Sequence, residues 1–469
     1  MTYKYNKQVF AILVAAALFS SCKITKTYEQ PSVVTEGLYR DQIAADSVTM
    51  ASMPWQNLFS DPKLKVLIQR GIEQNADLKN AIQNIIQAQA TLKQSKLGFL
   101  PTLSADANYT RNKASLSAQN FPSGISINTL TDTYKLALST SWEADIWGKL
   151  SSTKRSALAS YLGTDAAKRA VQTQLIADIA TNYYSLLAFD KQLAITQATL
   201  KSRIANVETI KALKEGAVVT GAAVVQSEAS RYATEVTIPD LKQSIRETEN
   251  ALNILLSQAP ATIDRGVLDV QLTPADLAIG LPSQLLKNRP DVQQAELSFR
   301  TAFENTNLAR TYFYPSLTVT ASGGVSSLHL KNLFDNSIFY SLVGGLTQPI
   351  FNQGINKARL TTAQSTQIQA FNTYQQTILV AGQEVSNALY SYQTAVEKEE
   401  ARGKQVAALT KAVDYTQELL RFSSATNYTD VLTSEQSLLA AQLSGVSDRL
   451  QKLQSVVELY RALGGGWQQ

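Results

Sequence analysis

The chain repeats itself at a constant spacing, and this duplication limits its fold more than any other feature of the sequence. Asp77 and Pro101 recur as Asp291 and Pro315, each within a segment of matching residues. A repeat of this kind indicates one supersecondary unit that occurs twice. We therefore expect two similar halves, at 61–282 and 283–469, joined by an irregular connection near 259–282.

Each half changes, directly after its proline, from helical spacing to alternation of apolar and polar residues. A period of two is typical of strands with two different faces. We predict β-hairpins at 101–146 and 315–350, with strands of about ten residues, which is long enough for a tilted strand to cross a membrane. A soluble sandwich would show the same alternation. The apolar positions are Leu103, Ala105, Ala107 and Tyr109, then Tyr134, Leu136, Leu138 and Trp142, then Leu317, Val319, Ala321 and Val325, and finally Ile338, Tyr340, Leu342 and Leu346.

Four strands are too few to close a barrel. An open sheet edge in a membrane would leave backbone N–H and C=O groups without partners. If these strands cross a membrane, other copies of the chain must therefore complete the sheet.

Long helical segments follow each hairpin. Neither Gly nor Pro interrupts 164–215, and Pro is absent from 351–469. A helix from about Gly148 to Lys214 would extend about 100 Å. Its apolar residues form a narrow stripe that suits coiled-coil contacts. We predict helical hairpins at 148–258 and 352–463.

The N-terminus has the pattern of an export signal. Lys4 and Lys7 precede an apolar stretch at 9–19, and two serines stand directly before Cys22. The apolar stretch is too short for a transmembrane helix. We predict a signal peptide at 1–21 and a lipidated segment at 22–60 that begins with the acylated Cys22. An ordinary secretory signal that contains a cysteine is the alternative.

Composition excludes several classes of protein. The formal net charge is +5, and the basic residues are scattered, which does not favour nucleic-acid binding. With one histidine and one cysteine in 469 residues, the sequence predicts no metal site, no disulfide and no catalytic residues. We interpret His329 as a loop residue.

With the repeats placed, the chain resembles the outer-membrane efflux lipoproteins of the TolC-like duct family, and is most similar to its NodT-type branch. The match extends from about Met53 to Trp467. The segments that carry it are 280–283 (GLPS), 288–292 (NRPDV), 295–296 (AE), 309–310 (AR), 314–317 (YPSL), 427–432 (NYTDVL) and 459–467 (LYRALGGGW).

The resemblance implies a membrane β-barrel continued by a long α-helical barrel, built by a homotrimer in which each chain gives four strands and two helical hairpins. It implies a passive outer-membrane channel of a tripartite efflux system, which receives small molecules from a periplasmic adaptor and an inner-membrane pump. It also implies that the chain is no enzyme and has no cofactor apart from the lipid on Cys22. Outer-membrane lipid is the remaining expected partner.

The hairpin tips are the candidate functional residues, because the family meets its adaptor and narrows its duct there. Four residues of the first tip are candidates for adaptor contact, and four residues at the second tip are candidates for a periplasmic gate. Asp430 has a second interpretation, as the cap of the returning helix. The adaptor candidates are Gly216, Val219, Thr220 and Gly221, and the gate candidates are Arg421, Asn427, Tyr428 and Asp430.

Two other functions remain open at this stage. A structural lipoprotein could use the same coiled coils to span the periplasm without a transport role. An exported enzyme could use carboxylates, although no spacing of acidic residues points to a catalytic pair.

Overall fold

The structure is a computed structural model, and it describes residues 24–40, 48–118, 128–274, 277–422 and 427–468. Cys22 and the predicted signal peptide lie outside the described residues. The backbone of Arg421 is described as part of a helix, but its side chain is not.

Long helices make up most of the described chain, as the sequence predicts. No helix in the described ranges combines the length and the apolar character that a membrane-crossing helix requires. Shorter helical segments lie at Met50–Ser52, Trp55–Leu58, Leu116–Ala118, Leu268–Val270, Pro282–Gln284, Leu285–Asn288 and Leu330–Asn332. The long helices are α1 (Pro62–Gln74), α2 (Ala76–Leu97), α3 (Lys149–Glu215), α4 (Gly221–Leu255), α5 (Pro290–Thr311), α6 (Ile355–Phe422) and α7 (Tyr428–Ala462).

The lengths of corresponding elements confirm the duplication. Helices α2 and α5 each have 22 residues, and α4 and α7 each have 35. Helix α3 has 67 residues where α6 has 68. The two halves therefore fold into the same series of elements.

Four strands form one antiparallel sheet in sequence order. They are β1 (Thr102–Lys113), β2 (Leu130–Ala144), β3 (Ser316–Ser327) and β4 (Ile338–Thr347). The pairing of β2 with β3 joins the two halves of the chain. Strands β1 and β4 are the outer strands, so each pairs on one side only within the sheet. His329 lies in the loop between β3 and β4, as predicted.

The register confirms the predicted alternation. Ser104, Ser139, Ser322 and Ser341 stand opposite one another in a row across all four strands. Because neighbouring residues of a strand point to opposite faces, the next row belongs to the other face. That row consists of Ala105, Leu138, Gly323 and Tyr340. One face of the sheet is thus rich in hydroxyl groups, and the other is apolar.

The chain divides into two compact units, and each takes residues from both halves. One unit contains the sheet and comprises Met1–Ser32, Ile85–Gly163 and Glu296–Thr373. The other comprises Val33–Asn84, Thr164–Ala295 and Tyr374–Gln469. Its largest buried side chains include Leu64, Ile68, Ile179, Tyr183 and Leu252. Neither half of the duplication is therefore a compact unit by itself.

The irregular connection after α4 is held by one arginine. Arg265 donates to both carboxylate oxygens of Asp190 on α3, at 2.5 and 3.0 Å, and to Glu249 on α4 at 2.5 Å. The hydrogen bond to Asp190 raises the pKa of Arg265. Ion pairs with several partners are stronger than isolated surface pairs, so this connection has a defined conformation in spite of its lack of regular structure.

Hydrogen bonds at the end of α3 define the backbone conformation of the first tip. The N–H of Val218 donates to the carbonyl of Leu213, and the N–H of Ala217 donates to that of Lys214. This pair of bonds closes a helix when the residue after its cap takes a left-handed conformation, a position usually occupied by glycine. Here Ala217 occupies it, with φ of +64°, and Gly216 precedes it.

Ala217→Gly should therefore stabilise the first tip, because an L-residue in the left-handed region is strained by about 1–2 kcal/mol, partly offset by the entropy that glycine loses on folding. We expect the amide of Val218 to exchange its hydrogen about 2- to 5-fold more slowly. Ala217→Val should have the opposite effect, since a β-branched side chain fits this conformation poorly. Hydrogen–deuterium exchange of the full-length protein measures both, and equal rates in the two variants would contradict the assigned tip conformation.

Candidate functional site

The apolar face of the sheet has aromatic residues at both ends. The rings of Tyr109 and Tyr134 lie 5.0 Å apart at the end near the hairpin loops. Trp142 lies on the same face at the end near the helices. The eight residue-to-residue steps from Tyr134 to Trp142 span about 27 Å. An apolar band of about 25 Å between two aromatic girdles is typical of transmembrane barrel strands.

The apolar side chains of this face are exposed to a high degree. The exposed fraction is 86% for Ile338, 88% for Tyr340 and 73% for Leu342, all on the edge strand β4. A contiguous apolar surface of this kind marks contact with another protein or with a membrane.

The opposite face carries polar and charged groups that bind one another. Asp106 accepts a hydrogen bond from Ser139 at 2.9 Å, and the hydroxyl groups of Ser104 and Ser139 are 2.7 Å apart. The amine of Lys135 lies 4.9 Å from the centre of the Phe339 ring. Such a face suits contact with water rather than with hydrocarbon.

Aromatic side chains also pack where the strands meet the helices. Trp147 lies 5.2 Å from Tyr314, centre to centre, and donates a hydrogen bond to the carbonyl of Pro315 at 2.7 Å. Trp142 donates to the carbonyl of Phe99 at 3.0 Å. The tryptophans at this junction thus combine ring packing with a satisfied N–H.

The N-terminal segment is fixed to this junction. The backbone N–H of Lys26 donates to the side-chain oxygen of Asn307 at 3.0 Å, and the Asn307 amide donates back to the carbonyl of Lys26 at 2.9 Å. Tyr28 packs edge-on against Phe303, with ring centres 5.5 Å apart. The side chain of Thr25 lies against Gly148, at the start of α3. No local sequence pattern marks Asn307 for this role.

The four adaptor candidates of the first tip lie in the turn from α3 to α4. Thr220 caps α4 with its backbone, because its carbonyl accepts the N–H of Ala223. Val219 packs against the buried side chains of Ile210 and Ala223. Gly216 and Gly221 have no positive φ, so neither residue is required there by backbone conformation.

Next to this tip, Lys211 on α3 forms ion pairs with Glu228 on α4, at 3.2 Å, and with Glu208, at 3.3 Å. The hydrogen bond to Glu228 raises the pKa of Lys211. The exposure of these groups makes the pairs weak.

At the second tip, Asn427 and Asp430 cap helix α7. The side chain of Asn427 accepts the N–H groups of Thr429 and Asp430, at 2.9 and 3.2 Å, and the Asp430 carboxylate accepts the N–H of Asn427 at 3.2 Å. This reciprocal arrangement is a capping box. The capping interpretation of Asp430 thus describes its geometry in this structure.

Tyr428 connects the two helical hairpins. Its hydroxyl donates to the side-chain oxygen of Gln226 on α4. The structure thereby brings one gate candidate to the first hairpin, while Asn427 and Asp430 bind within the second. Gln226 has no sequence signal of its own, since nothing in its spacing marks it as the partner of Tyr428.

A polar layer lies between the hairpins about two turns from the tips. Glu435 is 7% exposed and accepts hydrogen bonds from Asn206 on α3 and from Gln417 on α6. Arg203 is buried in the same layer and donates to the hydroxyl of Thr234. Burial lowers the pKa of Arg203. Buried polar groups of this kind fix the register of neighbouring helices in coiled coils.

A second buried arginine connects the 288–292 segment (NRPDV) to the C-terminal end of the chain. Arg289 is 4% exposed and donates to both carboxylate oxygens of Asp291, at 3.0 and 2.6 Å. It also donates to Glu384 on α6 at 2.6 Å and to the carbonyl of Ala462 at 3.0 Å. A buried charge requires such a complete set of partners.

The C-terminal glycines pack against the same segment. Gly464 has φ of +90°, and a side chain there would clash with the backbone of Asn288. The indole N–H of Trp467 donates to the carbonyl of Asn288 at 2.9 Å, and Arg169 lies over its ring. Residues 288–292 and 464–467, which are far apart in the sequence, therefore pack directly against each other.

No group of three or more His, Cys, Asp or Glu in the described part of the chain is placed to hold a metal ion. The polar groups above bind one another, cap helices or line one face of the sheet.

Comparison with known proteins supports the family resemblance seen in the sequence. The family model "Outer membrane efflux protein" matches residues 67–258 and 281–465. The solvent efflux pump outer membrane protein SrpC of Pseudomonas putida is 29% identical, over 97% of each chain. The probable outer membrane lipoprotein SilC of Salmonella typhimurium is 30% identical, over 88% of each chain.

A solved structure shares both fold and sequence. The outer membrane channel MtrE of Neisseria gonorrhoeae superimposes with a TM-score of 0.83 at 28% identity, over 95% of this chain and 99% of that chain. The predicted combination of a membrane sheet with long helical hairpins is thereby confirmed. This chain belongs to the outer membrane efflux protein family, and it is an outer-membrane efflux channel whose strands lie in that membrane.

Proposed function

We propose that three copies of this chain form one passive channel, which receives small molecules from a periplasmic adaptor and an inner-membrane pump. The observation that carries this proposal is the sheet with two unpaired edges and one exposed apolar face. Three copies give twelve strands, a number that closes a barrel of ordinary membrane size.

The two outer strands supply the surfaces for this assembly. In hydrocarbon, each unpaired backbone group would cost several kcal/mol. Pairing β1 of one copy with β4 of the next satisfies these groups. The polar face, with its row of serines, then lines the water-filled interior.

For the helical hairpins, we propose the first tip as the adaptor contact and the second tip as the gate. Val218 beside the four adaptor candidates is exposed, which suits contact with a partner. The hydrogen bond from Tyr428 to Gln226 supports a gate role for the second tip, because movement of one hairpin past the other would break it. Arg421, Asn427 and Asp430 complete the proposed gate.

We also propose that Cys22 carries a thioether-linked lipid after removal of the signal peptide. Thr25 lies beside Gly148 at the junction of strand and helix, which is the periplasmic boundary of the proposed barrel. Three residues of chain reach at most about 11 Å, so an acyl chain on Cys22 could enter the inner leaflet of the outer membrane. Several acyl chains give lasting attachment.

The purified protein in mild detergent should have the mass of three chains and should conduct ions in planar bilayers. Light scattering and single-channel recording measure these properties. A monomer would contradict the assembly. A trimer without conductance, together with unchanged dye accumulation in a deletion strain, would instead support a structural spacer.

Two neighbouring substitutions separate the two faces of the sheet. Leu138 lies midway between Tyr134 and Trp142 on the apolar face, so Leu138→Lys should cost about 2–4 kcal/mol per chain at the centre of the membrane. We expect the trimer band on native gels to be lost and dye accumulation to rise.

The matched control is Ser139→Lys, which adds the same charge on the polar face beside Asp106. It should assemble normally and change only the ion selectivity of the channel. If Ser139→Lys prevented assembly and Leu138→Lys did not, the two faces would be assigned the wrong way round.

Cys22→Ser, exported through a different signal peptide, should still insert into the outer membrane, because a closed barrel holds the protein there without the lipid. Labelling with radioactive palmitate should disappear, while sucrose-gradient fractionation should still find the protein in the outer membrane. Recovery of this variant as a soluble periplasmic protein would contradict the barrel, and palmitate labelling that persisted would contradict the lipid site.

A further inference from the structure

A cavity of about 160 Å³ lies between the two helical hairpins, next to the polar layer. Helices α3, α4, α6 and α7 all contribute side chains to its wall. Most of this wall is apolar, and its apolar members are Ile210, Leu213, Leu420, Val431 and Leu432.

The volume corresponds to one small organic molecule. A cavity of about 150 Å³ lined by Leu, Ile and Phe stays free of water and binds benzene. The present cavity has this size, and the ring of Tyr428 forms part of its wall. The cavity is partly open to solvent, so a small molecule could enter it without unfolding of the hairpins.

Three polar side chains of the wall give hydrogen-bond donors to other residues of the protein. The amides of Asn206 and Gln417 donate to Glu435, and the hydroxyl of Tyr428 donates to Gln226. A water molecule inside a protein needs two to four polar partners. With these donors engaged, the cavity suits an apolar guest better than water.

We propose that this cavity is a binding site for a neutral, apolar molecule with one aromatic ring. Such a molecule fills the volume, contacts the aliphatic wall by dispersion and needs no hydrogen bond. The mostly apolar wall disfavours charged ligands, because an ion would lose much of its hydration there.

The guest would touch both hairpins at once. It would therefore stabilise the arrangement of hairpins in this structure, in which Tyr428 reaches Gln226 and Asn206 reaches Glu435. Any effect of the guest on channel opening rests on the gate proposed above, whereas binding of the guest to the cavity does not.

Benzene provides the test, with the full-length protein in detergent. Thermal unfolding of the unmodified protein should shift to higher temperature as benzene is added, since a ligand of the folded state stabilises it by mass action. Ser227 lines the cavity and is 2% exposed. Ser227→Leu fills part of the space and should weaken the apparent affinity for benzene at least tenfold.

The matched control is Val225→Leu, on the same helix but 65% exposed, which should bind benzene as the unmodified protein does. An equal shift in both variants would show that benzene acts elsewhere, for instance through the micelle, and would overturn the proposal. Crystals under xenon pressure give a second measurement on the unmodified protein, independent of whether Ser227→Leu folds. Xenon density in the cavity is expected, and its absence would also overturn the proposal. Single-channel conductance measured without benzene tests the proposed channel function independently of the cavity.

Discussion

The backbone of the two outer strands sets the condition that the rest of this protein must meet. A strand in hydrocarbon has no water to satisfy its N–H and C=O groups, and β1 and β4 each have one unpaired side within the sheet. The apolar face adds a second requirement, because Ile338 and Tyr340 are almost fully exposed in a single chain. Contact with the hydrocarbon of the membrane meets the second requirement, and the pairing with other copies proposed above would meet the first.

The same logic extends to the helices. Helices of 67 and 68 residues cannot bury their apolar side chains without a partner. They fold back as hairpins, and the hairpins then pack on each other through polar layers as well as apolar ones. Arg289 and the C-terminal glycines fix one end of this arrangement by joining the start of α5 to the end of α7. The motif residues that carry the family resemblance are therefore largely structural.

Periodicity made much of this fold predictable. The strands, the long helices and the duplication follow from repeats of two, of about 3.6 and of half the chain length. The conformation of the first tip could not be predicted from periodicity. A glycine beside a turn is expected to take the left-handed position, but hydrogen bonding places Ala217 there instead.

Contacts between residues that are far apart in the chain could not be predicted from the sequence either. Nothing local marks Gln226 as the partner of Tyr428, or Asn307 as the residue that binds the backbone of Lys26. Such pairs depend on how two helices meet, and that geometry is a property of packing rather than of one segment. Asp430 was ambiguous for a related reason, because a carboxylate three residues after an N-cap serves the helix in any fold.

Packing differs along the hairpins, and this difference bears on where the protein can move. Around Tyr183 and Leu187 the side chains are fully buried, and Tyr183 is bonded to Asp61 at 2.6 Å. Near the tips, the core contains the cavity and a buried carboxylate with one oxygen that has no hydrogen-bond partner. Missing contacts and unsatisfied polar groups both lower local stability. The cavity and the unsatisfied carboxylate oxygen thus lower local stability beside the tips, as the gate proposed above would require if the duct opens at this end.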